Sequence, residues 1–204
     1  MKNIIFDIGN VIAYIDIEEV INEIGQTEEN IKFIRESIID TPEWSKNSLI
    51  DTGYINWSEA INIIGDRTNH KNDELLEKFA YGHYDYLKMN DKVLELIKTL
   101  KNNNYNVYIL SNLNEYSYAI YKKSGLFDLV DGVSLSFLEH QIKPYQGIYK
   151  ALLNKYNLNS SECLFIDDRL ENCETAKKLG MDYINVLPNN FDDLINKLKE
   201  KSIL

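Results

Sequence analysis

Cysteine is scarce in this chain: Cys163 and Cys173 are the only two, with no C-x-x-C spacing, so a reduced, cytoplasmic setting is expected. Long apolar runs are missing as well. None approaches the ~18 residues of a membrane span, and Asp7 interrupts the apolar N-terminal region, so no signal peptide is expected. Positive charge is in deficit, with 22 Lys and Arg against 32 Asp and Glu and a net charge of -10. That argues against nucleic acid or an anionic membrane as partner. It leaves an anionic small molecule open, because one bound divalent cation reverses the local field. The three histidines, His70, His83 and His140, share no metal-ligand spacing. Internal repeats and low-complexity linkers are absent too. What remains is ordinary for a globular protein, 44% hydrophobic and 26% charged over 204 residues, enough for one core and a small inserted domain. Nothing in these totals bears on oligomeric state.

The chain is organised around its first stretch, K-N-I-I-F-D-I-G-N-V-I from Lys2 to Ile12. Ile4-Ile5-Phe6 is short and wholly apolar, as a strand buried on both faces must be. It stops at Asp7, and Gly9-Asn10 supplies turn chemistry. Open α/β sheets place their ligand crevice at the carboxyl ends of such strands. From residue 15 to 88 no buried strand is expected and helical patterns follow one another. Ile17, Val20, Ile21 and Ile24 share a face ahead of Gly25, a C-terminal stop. Thr27 caps a helix carrying Ile31, Ile34 and Ile38, which Thr41-Pro42 breaks; Ser58 and Asn72 read as further N-caps, for helices near 59–64 and 73–87. This segment is predicted to be an all-helical cap.

After it, strands and helices alternate. Asn90 precedes a helix with the stripe Val93, Leu96, Ile97, Leu100. Strands are expected at 107–110, 133–136, 163–166 and 183–186, and helices at 115–124, after Lys143-Pro144, at 170–179 and from Phe191 onward. No Asn-Gly or Asp-Gly signal stands between two paired strands. The pattern predicts a doubly wound parallel sheet, a Rossmann-like α/β core made of 1–14 and 89–204, with the cap of 15–88 hanging over the sheet's carboxyl edge.

Three of the buried strands end in polar residues: Asp7, Ser111 and Asp167-Asp168. With Lys143 on a loop before a helix, their ends would converge in one crevice holding three carboxylates, a hydroxyl and an ammonium. Clustered carboxylates need a neutralising cation, and Mg²⁺ with oxygen ligands fits. The metal would bridge the carboxylates and a substrate phosphate, Lys143 and Ser111 would hold other phosphoryl oxygens, and a free carboxylate would attack to give an aspartyl-phosphate.

D-x-G-N-V at Asp7, S-N at Ser111, K-P at Lys143 and D-D-x-x-x-N at Asp167, in that order, resemble the haloacid dehalogenase-like superfamily with a helical cap of subclass I. IFDIGNVIAYID, ILSNLN and FIDDRLEN are most similar to bacterial sugar-1-phosphate phosphatases, such as α-glucose-1-phosphate phosphatase. The resemblance implies a Mg²⁺-dependent phosphatase for a small phosphorylated metabolite, with Asp7 as nucleophile and metal ligand. It implies metal contacts from the Gly9 carbonyl and the Asp168 carboxylate, and from Asp167 through water. Ser111, Asn112 and Lys143 would bind phosphate, and Asn172, a helical turn after Asp168, can point back towards the site. Family phosphatases carry a second Asp two residues after the nucleophile as general acid and base, and this chain has Gly9 there. That group is typically worth ~10²–10⁴-fold, so the resemblance implies slow turnover, an easily expelled leaving group such as an anomeric oxygen, or an acid supplied by the cap.

Two other functions stay open on the sequence. One is a catalytically degenerate member that binds a phosphometabolite or a protein; the other is a metal-free dehalogenase, disfavoured by the Asp167-Asp168 pair. A receiver-type phospho-acceptor is disfavoured by the motif order and the insertion. The cysteines read as packing residues and the histidines as ordinary surface or loop residues, although His83, near the cap's return, could face substrate. Trp44, Tyr54 and Trp57 either line a sugar face or pack the cap.

Overall fold

The computed structural model of the protein describes residues 1–41, 44 and 49–204. Five parallel strands form one sheet in the order β5-β4-β1-β6-β7, with β1 (Asn3–Phe6) central, β4 (Asn106–Ser111) and β6 (Cys163–Asp167) on either side, and β5 (Gly132–Leu135) and β7 (Asp182–Asn185) at the edges. All four residues of β1 are buried. Successive side chains of a strand point to opposite faces. Ile4 and Phe6 therefore join one apolar cluster with Val93, Ile97, Ile109 and Ile166, while Ile5 joins the other with Tyr149, Leu152 and Phe165. Helices cover both faces, so an uninterrupted apolar strand is what this position requires.

Register places the strand ends together. Phe6 pairs with Ile109 on one side and Ile166 on the other, and the Asp7 N–H donates to the Ile166 carbonyl at 2.9 Å. Asp7, Ser111 and Asp167 thus leave the sheet within one residue of the same level. The chain order reverses at β1, and this switch point opens the crevice.

Two short strands, β2 (Ala13–Tyr14) and β3 (Lys88–Met89), pair antiparallel, and every described element between them is helical. Ile17–Gly25, Glu28–Ile34 with a wider π turn over Arg35–Ile39, Trp57–Arg67 and Asp73–Gly82 pack around their own clusters, one of Val20, Ile24, Ile34, Leu76 and Phe79, another of Trp57, Ala60, Ala80 and Tyr84. No helix among the described residues is long and apolar enough to cross a membrane.

Local signals were read correctly at several caps and differ at others. Asn72 and Thr27 cap their helices. The helix expected from Ser58 instead starts at Trp57, because Asn56 and Glu59 form a reciprocal capping box two residues earlier. Gly25 is not the left-handed stop. Gln26 takes that conformation (φ 63°), and Gly25 is small because a Cβ there would lie 2.8 Å from Ile31 Cγ1. The helical run ends at Ile39 with Asp40 as its C-cap, just ahead of Thr41; Pro42 lies outside the described residues. The strand expected to reach Ser136 ends at Leu135, since Ser136 begins a short helix.

The cap rests on the core through the turn Ile50–Thr52 and Gly53. At φ 72°, Gly53 sits so close to Ser136–Glu139 that a Cβ would lie 2.3 Å from the Phe137 carbonyl oxygen. Only glycine allows that approach. His140 Nδ1 lies 3.0 Å from the Thr52 carbonyl, and its ring stacks with Tyr54 at 5.0 Å.

Candidate active site

Asp7, Ser111, Lys143 and the Asp167-Asp168 pair meet at the carboxyl ends of β1, β4 and β6. Asp7 Oδ1 accepts two hydrogen bonds, from its neighbour's backbone, Ile8 N–H, at 2.7 Å and from Ser111 Oγ at 2.8 Å, and forms an ion pair with Lys143 Nζ at 2.8 Å. Three donor groups thus converge on one oxygen, while Oδ2 accepts no hydrogen bond from the described residues. Val11, Ile12 and Ala13 turn their N–H groups onto the Ile8 carbonyl, which curls the chain tightly after Asp7.

Lys143 is among the most deeply buried charges of the protein, 2% exposed, on a loop whose Lys143–Pro144 peptide is cis. Its Nζ lies 2.8 Å from Asp7 and 2.7 Å from Asp167. Burial alone would lower the ammonium pKa, but the two carboxylates outweigh it and hold Lys143 above the usual lysine value. Asp167 is fully buried, and that burial pushes its carboxyl up to about 6 against the pull of Lys143. Lys143 touches two anions, and they keep its ammonium protonated. Asn172 donates Nδ2 to both oxygens of Asp167 at 3.0 Å, and Arg169 N–H donates to Oδ1 at 2.8 Å. Asp167 is therefore held by several donors and acts as the anchor of Lys143.

Asp168 is different. It is half-buried, which raises its carboxyl pKa, and among the described residues its Oδ2 accepts from Asn10 Nδ2 alone, at 3.0 Å. Ligand atoms of Asp7, Asp167 and Asp168 all lie within 4.8 Å of one another. Three carboxylates against one ammonium leave negative charge in excess, and an all-oxygen donor set of this size suits a hard divalent cation.

Every site residue expected from the sequence lies in this cluster or borders it, one of them with an added role. Asn112, expected to bind phosphate, is engaged with the lysine loop as well as bordering the crevice. Its Oδ1 accepts from Lys143 N–H at 2.8 Å and its Nδ2 donates to the Lys143 carbonyl at 3.1 Å, so it clamps the lysine loop to β4. Asn10, expected only as a turn residue after Asp7, also reaches the site through Asp168. It takes φ 57°, which asparagine tolerates better than most residues, and the G-N dipeptide was the available signal.

The crevice continues upward between cap and core as a cavity of about 480 Å³, rimmed below by Gly9, Asn10 and Asn112. His83 lines it and is no surface histidine. It is 3% exposed, its Nδ1 pairs with the Phe79 carbonyl at 2.8 Å, and burial lowers its pKa to about 4, so the ring is neutral. Trp44 and Trp57 meet its edge at 5.6 and 5.8 Å, and both line the cavity while also packing the cap. Tyr54 faces outward at 69% exposure and stacks on His140 instead. A polar contact across the closure was not readable from sequence: Asn114, the N-cap of Glu115–Lys123, donates Nδ2 to the Tyr84 hydroxyl at 2.8 Å and lies 3.3 Å from Asp51.

Known proteins share this architecture. A sesquiterpene phosphatase of Aspergillus oryzae is 25% identical over 181 residues, covering 88% of this chain and 87% of that protein. A HAD-family enzyme of Bacteroides thetaiotaomicron, solved in complex with magnesium and inorganic phosphate, superposes with a TM-score of 0.76 at 23% identity over 96% of this chain and 98% of that one. L-2-haloacid dehalogenase of Xanthobacter autotrophicus, solved with chloropropionic acid covalently bound, gives a TM-score of 0.67 at 17% identity over 100% of this chain and 84% of the other. Residues 1–180 match one family along nearly the whole length of sheet, cap and crevice, and the chain belongs to it: the haloacid dehalogenase-like hydrolases.

Proposed function

We propose that the protein is a Mg²⁺-dependent phosphatase that hydrolyses a small phosphorylated metabolite through an aspartyl-phosphate on Asp7. The observation that carries this is the three-donor clamp on Asp7 Oδ1, which leaves Oδ2 as the oxygen available for attack. Lys143 and Ser111 hold the other oxygen, Oδ1, with donors that can pass to the phosphoryl group as charge develops on it, stabilising the transition state more than the ground state. Asp168, Asp7 and the Gly9 carbonyl would hold the metal, with Asp167 reaching it through water. Mg²⁺ so placed would neutralise phosphate charge and orient the ester. The cap, taken as 15–88 on a core of 1–14 and 89–204, would close over the ester and exclude water.

The sesquiterpene phosphatase and the magnesium- and phosphate-bound Bacteroides enzyme support phosphomonoester chemistry over attack on carbon. The motif resemblance supports a sugar phosphate, particularly a 1-phosphate, whose anomeric oxygen leaves as a weaker base than an ordinary alkoxide. The test is a panel of phosphorylated metabolites with and without Mg²⁺, with Asp7→Asn as control. Phosphate release that needs both Mg²⁺ and Asp7 is expected. Phosphate release by Asp7→Asn at the parent rate would refute it. Release of halide from a 2-haloacid in excess chelator would instead favour the dehalogenase reading.

A further inference from the structure

The walls of the cavity say what kind of alcohol the phosphate is attached to. Ile15, Ile17, Ile39, Leu87, Trp44 and Trp57 supply its apolar surface, and among the described residues no lysine or arginine lines it. Tyr14, Tyr121 and Asp51 add two hydroxyls and a carboxylate to the wall, and most of its other polar groups are already engaged within the protein. The Tyr84 hydroxyl accepts from Trp57 Nε1 at 3.2 Å and from Asn114 Nδ2 at 2.8 Å. Asn114 Oδ1 accepts from Ser117 N–H, and the Ser117 hydroxyl donates to the Asn114 carbonyl. Asn112 is closed onto the Lys143 main chain, and His83 Nδ1 is taken by the Phe79 carbonyl. A polyol entering here gives up water at several hydroxyls with few partners to replace it, which opposes binding. An apolar ring loses nothing of the kind.

A second, independent observation concerns the leaving oxygen. Gly9 lines the cavity and a Cβ built on it meets no atom within 4 Å, so no side chain stands at the position where the family resemblance puts the proton donor. The ester that tolerates this is one whose alcohol departs without a proton. A phenol ionises near ~10, as tyrosine does, whereas an aliphatic alcohol holds its proton far more tightly, about as water does.

We propose that the crevice takes phosphate monoesters of phenolic alcohols, expelled as phenolates with no proton from the protein. This rests on the Asp7 reading above. A carboxylate oxygen of Asp7 bonds to phosphorus as the P–O(aryl) bond breaks, and the electron pair leaves on the phenolate, which takes its proton from water. Water then attacks phosphorus and the P–O bond to Asp7 breaks, returning the carboxylate and releasing inorganic phosphate. The attacking water lacks a base at Gly9 too, so this second step limits kcat, while kcat/KM carries the leaving-group dependence. A sugar 1-phosphate meets the leaving-group condition in part and the apolar one poorly.

The experiment uses the full chain with Mg²⁺ on phenyl phosphate, cyclohexyl phosphate and α-glucose 1-phosphate. The first two differ little in size and greatly in leaving group. Phenyl phosphate is expected to exceed cyclohexyl phosphate in kcat/KM by at least about 100-fold, the low end of what a general acid is worth, with a burst of phenol stoichiometric with enzyme. Cyclohexyl phosphate is expected to be at least as good as α-glucose 1-phosphate. A phenyl-to-cyclohexyl ratio below about 10 overturns the inference, as does a clear preference for the sugar over the cyclohexyl ester. Asp51→Asn should leave both ring substrates at the parent rate. Selective loss on the cyclohexyl ester would make Asp51 the proton donor and overturn the unassisted departure. If other phosphorylated metabolites are hydrolysed and phenyl phosphate is not, this inference fails and the phosphatase reading stands. If Asp7→Asn keeps parent activity on all three, the Asp7 reading fails.

Discussion

Replacing Lys143 by methionine isolates the electrostatics of the site from its packing. The side chains are close in length and volume, so Lys143→Met opens little cavity, and Lys143 is too buried for water to fill its place. What changes is that Asp7 and Asp167, each within 2.8 Å of the Lys143 ammonium, lose their shared cation. Removing one partner of a buried ion pair costs about 3–5 kcal/mol, because it leaves charge buried and uncompensated. Unfolding entropy of ~2.1 cal/mol/K per residue over 204 residues converts this to a fall in Tm of about 7–12 °C. The assay is thermal unfolding followed by circular dichroism, near neutral pH, with chelator present. Added Mg²⁺ should return part of the loss, since it supplies positive charge to the same carboxylates. In turnover, loss of a donor aimed at developing phosphoryl charge is expected to cost about 10²–10³-fold in kcat. A metal-free Tm within about 2 °C of the parent would refute the claim that Lys143 neutralises buried carboxylates.

Three further outcomes are expected. The Asp167 carboxyl lies above its unfolded value, at about 6, because of burial. It takes up a proton on folding, so metal-free stability should fall as pH rises from about 4 to 6. Mg²⁺ binds the ionised carboxylates, so the Tm gain on adding it should grow across that window, and a gain independent of pH would contradict the assignment. Gly9→Asp meets no steric barrier and should raise kcat/KM on alkyl phosphates by about 10²-fold or more while moving aryl phosphates little; equal gains on both would argue against a missing proton donor. Asn112→Ala should lower stability by about 1–3 kcal/mol and depress kcat while leaving Mg²⁺ affinity at the parent value, and a matching loss of Mg²⁺ affinity in calorimetry would show that Asn112 does more than hold the Lys143 loop.

The sequence carried the sheet well because its signals are local. Apolar runs at 4–6, 107–110 and 163–166 could only be buried strands, and each stops at a polar residue that the parallel register then brings level with the others. Cap boundaries at single-residue detail were harder. Asn56 and Ser58 are both good N-caps, and only the reciprocal bond from Glu59 decides between them. Roles set by tertiary contact left no local trace. That Asn112 clamps Lys143 across 31 residues follows from β4 and the lysine loop lying side by side, not from its neighbours in sequence. His83 reads as polar, yet it is buried among Trp44, Trp57, Phe79 and Tyr84 because cap helices with separate apolar faces converge on it.

The central claim is that Asp7 becomes phosphorylated, and peptide mass spectrometry after rapid acid quench reads that directly. With Mg²⁺ and phenyl phosphate present, one phosphoryl group is expected on the peptide containing Asp7, absent in Asp7→Asn and lost once the substrate is exhausted before the quench. Steady release of phosphate with no phosphorylated Asp7 peptide at any quench time, or with the group on another residue, would contradict it.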